Sequence, residues 1–142
     1  MNLLPKIRLG DLLVAKRRIT ATQRDAALMV QRATGHRLGD VLVEMGALTY
    51  DEVADVVAEQ LEVARIDLTS EPPDPALVAR VGRELIERHQ MLPVRVEGDR
   101  LILAMVDPLN LQGLEVFRQL HGVDVDRRLC LQQAFDDFCR GM

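Results

Sequence analysis

With 142 residues, 48% hydrophobic and 28% charged, the chain has apolar material for one domain or two small subdomains, and a disordered chain is excluded. Aromatics are scarce, with no Trp, one Tyr and three Phe, so the core falls to Leu, Val, Ile, Met and Ala, and a base-stacking single-strand surface is excluded. The net charge of −4 is divided unevenly: residues 1–40 carry eight Lys/Arg against three Asp, whereas the remainder is strongly acidic.

A basic front on an acidic chain points to an anionic ligand or partner, while the net negative charge disfavours DNA. The start, Met1-Asn2-Leu3-Leu4-Pro5, meets charge at Lys6 before any long apolar run, so no secretory signal is expected. No run of 18 apolar residues occurs, so no membrane insertion is expected and the cytoplasm is the expected location.

From Arg8 onward the chain repeats itself. Arg8-Leu9-Gly10-Asp11-Leu12-Leu13-Val14 returns as Arg37-Leu38-Gly39-Asp40-Val41-Leu42-Val43, offset by 29 residues. The echo continues through Ile19-Thr20 and Leu48-Thr49, Leu28 and Val57, and Gln31 and Gln60, giving two motifs at 8–31 and 37–60. A five-residue spacer, Arg32 to His36, joins them. Each copy predicts a helix of about two turns after its glycine, followed by a longer helix opened by a capping box, Thr20-x-x-Gln23 or Thr49-x-x-Glu52. Gly35 and Gly46 are expected left-handed caps closing the first long helix and the second short one.

Beyond Leu61 the pattern changes. Arg65-Ile66-Asp67-Leu68 predicts a short strand, and Glu71-Pro72-Pro73-Asp74-Pro75 a turn whose aspartate caps a helix over 75–81. A helix over Arg83–His89 follows, then a β-hairpin of Met91–Val96 and Arg100–Val106 turning at Glu97-Gly98-Asp99. Asp107-Pro108-Leu109-Asn110 caps a helix over about 111–120, ahead of a strand at Val123–Leu129 and a terminal helix over 131–140. The fold class expected is α+β: a tandem-repeat helical subdomain over 1–62, then a small α/β subdomain with a β-hairpin over 63–142. Cys130 and Cys139, without a CxxC or a histidine cluster, read as buried thiols in a reducing compartment; His36, His89 and His121 are scattered, so no metal site is expected.

The doubled Arg-Leu-Gly-Asp…Gln pattern with its spacer resembles the MshEN domain, the N-terminal cyclic di-GMP-binding region of type II secretion and type IV pilus assembly ATPases. The stretch IDLTSEPPDPALVARVGRELIERHQMLPVRVEGDRLILAMVDPLN is similar to the rest of that region. The resemblance implies a sensor or regulatory domain whose ligand is cyclic di-GMP, and a secretion or pilus ATPase or platform protein as partner. No cofactor is expected. The alternative is a ligand-free docking module of the same systems. Catalysis is not expected: GxxxxGK[ST], HExxH and GxSxG are all missing from the sequence.

Cyclic di-GMP has two guanines and two phosphates related by a twofold axis, and two copies of one helical unit suit such a ligand. Arg8 and Arg37 are assigned to guanine edges or neighbouring phosphates, because the guanidinium fork matches O6 and N7. Gly10 and Gly39 let backbone amides approach, beside helix N-termini that favour phosphate. Gln31 and Gln60 offer base-edge hydrogen bonds, and Asp40 accepts from guanine N–H groups. The resemblance adds Asp107 in the same role. Leu9, Leu28, Leu38, Val53 and Val57 form an apolar platform. The first copy departs from the family pattern at Arg17, where the second has Gly46, and at Arg24, where the second has Val53.

Overall fold

The computed structural model describes residues 8–122 and 124–142. The chain divides into two compact units, one ending at Leu61 and the other running from Glu62 to Met142.

The first unit is four helices: α1 Leu9–Ala15, α2 Ala21–Thr34, α3 Leu38–Glu44 and α4 Tyr50–Leu61. Both capping boxes form. Thr20 Oγ1 accepts the Gln23 N–H while the Gln23 side chain accepts the Thr20 N–H, and Thr49 and Glu52 do the same. Gly35 and Gly46 hold φ of 75° and 77°, the left-handed caps that a side chain disfavours. The core inherits the repeat, since Leu13 and Leu42, Ile19 and Leu48, and Ala27 and Val56 are all buried in one cluster. Each pair stands 29 residues apart, so what is duplicated is the packing as well as the surface motif.

The second unit is a four-stranded mixed sheet with helices on both faces. Its elements are β1 Ala64–Arg65, α5 Pro75–Val81, α6 Arg83–His89, β2 Met91–Glu97, β3 Arg100–Met105, α7 Leu111–His121, β4 Asp124–Leu129 and α8 Gln132–Arg140. The strand order is β1-β4-β3-β2, antiparallel within the β2–β3 hairpin and parallel where β4 meets β3 and β1. Side chains of β3 alternate between two cores, as a two-residue period requires. Ile102 and Ala104 pack with Ile86, Phe135 and Cys139, while Leu101, Leu103 and Met105 pack with Leu77 and Phe117. A strand covered on both faces reads as a continuous apolar run, which is what Leu101 to Met105 shows.

Several boundaries differ from expectation. The strand expected over Arg65–Leu68 is only Ala64–Arg65, paired with Arg128 and Leu129. Asp67 ends it, because its carboxylate accepts the Thr69 N–H at 2.9 Å and bends the chain. The hairpin turn is the two residues Gly98 and Asp99, with Gly98 at φ 62°, and β2 carries an irregularity between Pro93 and Arg95. Helix α7 is capped by Asn110, whose Oδ1 accepts the Gly113 N–H at 3.1 Å; Asp107 instead closes the preceding turn by accepting the Leu109 N–H. Val123, expected in the last strand, lies outside the described residues, as do Met1–Pro5 and Lys6. Cys130 and Cys139 are buried and free, and burial pushes the Cys130 thiol up to about 12, so it stays protonated. No described helix is long and apolar enough to cross a membrane, and the described residues hold no cluster that could bind a metal ion.

Candidate functional site in the tandem motifs

Each motif opens on an arginine in the same backbone state. Arg8, at φ −66° and ψ 146°, precedes α1, and Arg37, at φ −67° and ψ 143°, precedes α3. Their carbonyls accept the Leu12 and Val41 N–H groups, at 3.0 and 3.1 Å, and both residues are exposed. The two arginines therefore occupy matching backbone positions at the starts of α1 and α3. Helices α1 and α3 have seven residues each, so their N-termini offer local N–H groups rather than a long summed dipole.

Gly10 and Gly39 mark where each short helix meets the long helix that follows it. A Cβ on Gly10 would lie 3.1 Å from Arg24 Cγ and 3.1 Å from Leu38 Cδ2; one on Gly39 would lie 3.0 Å from Val53 Cγ1. On α2, Arg24, Leu28 and Gln31 follow i, i+4, i+7 spacing, and on α4 Val53, Val57 and Gln60 do the same. Each trio forms one stripe, half-buried along its length, starting at the motif glycine. Leu9 and Leu38 are partly buried against the unit's core. The structure thus places the corresponding members of the two motifs in corresponding local settings. Asp107 stands in the other unit, where the Leu109 N–H already occupies one of its carboxylate oxygens.

The two departures of the first copy are resolved differently. Arg17 takes the left-handed conformation itself, at φ 58°, and the turn keeps the bonds of its counterpart. Arg17 N–H to Val14 and Arg18 N–H to Leu13 match Gly46 N–H to Val43 and Ala47 N–H to Leu42. Arg24 covers Gly10 with its stem and turns its guanidinium to Asp11, at 3.1 Å, and to Asp25, at 3.1 Å. Its pairing with Asp11 escaped sequence reading, as did the nearness of Tyr50 to Asp40. Partial desolvation first, then the charge of nearby Asp40, raise the Tyr50 phenol above its ordinary value. Neither contact has a spacing signature, since each depends on how a short helix docks on a long one.

The second unit offers a recess of about 550 Å³ lined by residues including Arg100, Glu115, Arg118 and Asp124. Its charges are of both signs, and Arg118 is already bonded to Glu115, so it does not select an anion.

Residues 61–142 match the family described as the MshEN domain, a match that falls on the second unit rather than on the doubled motif. The type IV pilus assembly ATPase PilB of Myxococcus xanthus is 33% identical over 119 residues, 84% of this chain and 21% of that protein. The type IV pilus assembly ATPase PilB of Thermus thermophilus is 40% identical over 88 residues, 62% of this chain and 10% of that protein. The chain thus spans between a tenth and about a fifth of the length of these relatives. Among solved structures, MshE with cdg is similar at a TM-score of 0.83 and 29% identity, covering 96% of this chain and 99% of that one. The N-terminal domain of XpsE shares the fold at a TM-score of 0.70 and 20% identity, covering 99% of this chain and 96% of that one. What is shared with the pilus ATPases is a region apart from any GxxxxGK[ST] loop, and by this match the chain belongs to the MshEN domain family.

Proposed function

We propose that the first unit binds cyclic di-GMP and that the chain is a regulatory sensor rather than an enzyme. The observation that carries this reading is the recurrence of arginine, glycine and glutamine in matching local settings in two tandem copies, in a chain similar over 96% of its length to MshE with cdg. Arg8 and Arg37 take the guanine edges or adjacent phosphates, and Gln31 and Gln60 the remaining base edges. Gly10 and Gly39 admit close backbone approach, with Leu9, Leu28, Leu38, Val53 and Val57 as the apolar floor. Asp40 accepts guanine N–H groups. Asp107 is the outlying member of the set, and its turn-capping bond limits what it offers a ligand. Residues 1–62 then form the ligand-reading domain and 63–142 the domain that passes the signal to a cytoplasmic secretion or pilus ATPase or its platform protein.

Isothermal titration of the chain with cyclic di-GMP tests this, with GTP and cyclic di-AMP as controls. Arg37→Ala and Gln60→Ala are expected to weaken binding by roughly ten- to a hundredfold, the value of a good bidentate base contact, and Arg8→Ala by less. The smaller effect of Arg8→Ala follows from the altered first motif, where Arg17 and Arg24 stand in place of the Gly46 and Val53 of the second. Absence of heat at tens of micromolar ligand would replace the sensor with a ligand-free docking module.

A further inference from the structure

We propose that Arg24 is the charge partner that fits the first half-site to an anion, by pairing with the Asp11 carboxylate beside the Arg8-Leu9-Gly10 corner. The inference rests on reading the tandem motifs as a cyclic di-GMP site. Both motifs carry an aspartate immediately after the glycine; Asp40 is assigned to guanine N–H groups, whereas Asp11 has no such assignment and as a bare carboxylate would repel a neighbouring phosphate. The two copies set different residues beside that aspartate. In the first, Arg24 Nη1 lies 3.1 Å from Asp11 Oδ1, and its Nε lies 3.1 Å from Asp25 on the next helical position. In the second, Tyr50 stands near Asp40, whose charge acts on its phenol. Neither copy has the other's device, because Ala21 stands where Tyr50 would be and Val53 where Arg24 would be.

The geometry explains why an arginine is tolerated in an apolar position. Its Cγ and Cδ lie 3.1 and 3.5 Å from the place of a Gly10 Cβ, the packing that Val53 Cγ1 supplies at 3.0 Å over Gly39. The stem does the packing and the head the charge balance, and the side chain is 27% exposed against 57% for Asp11. Arg24 is thus a positioning and charge-balancing residue that a hydrophobic replacement removes while leaving Gly10 covered. Without it, Asp11 is left uncompensated beside the Arg8-Leu9-Gly10 corner.

Titration of the 142-residue chain with cyclic di-GMP at low and high salt decides the matter. R24V is expected to weaken binding about fivefold at low salt and much less at high salt, where exposed charges are screened. The D11N/R24V double variant is expected to recover to within about twofold of wild type, because the uncompensated charge is gone. D11N alone is expected to bind as tightly as wild type or tighter, and it carries the test by itself should R24V fail to fold. Wild-type affinity for R24V at both salts, a double variant as weak as R24V, or weakened binding by D11N would each overturn the proposal. No heat from the wild type would overturn the site reading and this inference together, whereas a binding wild type with an unaffected R24V overturns this inference alone.

Discussion

Arg17 carries a strain that its counterpart avoids. At φ 58° its Cβ crowds the backbone, whereas Gly46 makes the same turn at 77° without a side chain. Arg17→Gly is expected to raise stability by about 1 kcal/mol, the left-handed penalty less the added freedom of the unfolded chain. Urea unfolding followed by circular dichroism would measure it, and a loss of stability would mean that the Arg17 side chain makes a contribution larger than its strain. The same position shows what a sequence with two copies of a motif reveals. A glycine in one copy points to the backbone state of the other, which left Arg17 either a strained left-handed turn or a different turn; the left-handed one forms. The partner of Arg24 was not legible in the sequence, because nothing in its spacing from Asp11 specifies the docking of α1 on α2.

At the scale of elements, helix starts were the most legible feature because a cap is chemistry local to four residues. Thr20 with Gln23 and Thr49 with Glu52 satisfy N–H groups that the first turn of a helix leaves bare. Thr20→Ala and Thr49→Ala are each expected to cost about 1 kcal/mol, read as lowered unfolding midpoints with unchanged ligand contacts. A cost for one and none for the other would deny that the two long helices begin alike. Helices α5 and α6 were equally local, opened by Asp74 before Pro75 and by Gly82. Strand β1 was not, since its length depends on Arg128 and Leu129 near the far end of the chain and on Asp67 diverting the backbone. The segment from Asp107 to Asn110 was legible as the start of α7, but not which of its two turn formers holds the cap; Asn110 does, while Asp107 closes the turn before it.

For the whole molecule, the separation between a repeated helical unit and a sheet-centred unit follows from the change in hydrophobic pattern after Leu61. Alternation identified the hairpin but not the central place of β3, whose burial on both faces comes from α5, α6 and α8 as well as α7. Membership in the MshEN family rests on residues 61–142, while the proposed ligand chemistry resides in residues 8–60. The central claim is that those two motifs act as one symmetric receptor. Backbone amide shifts of the ¹⁵N-labelled chain, followed by NMR during titration with cyclic di-GMP, test it most directly. Saturation at one ligand per chain is expected, with paired perturbations at Gly10 and Gly39, Arg8 and Arg37, and Gln31 and Gln60. Perturbations confined to one motif, or to residues 62–142, would contradict it.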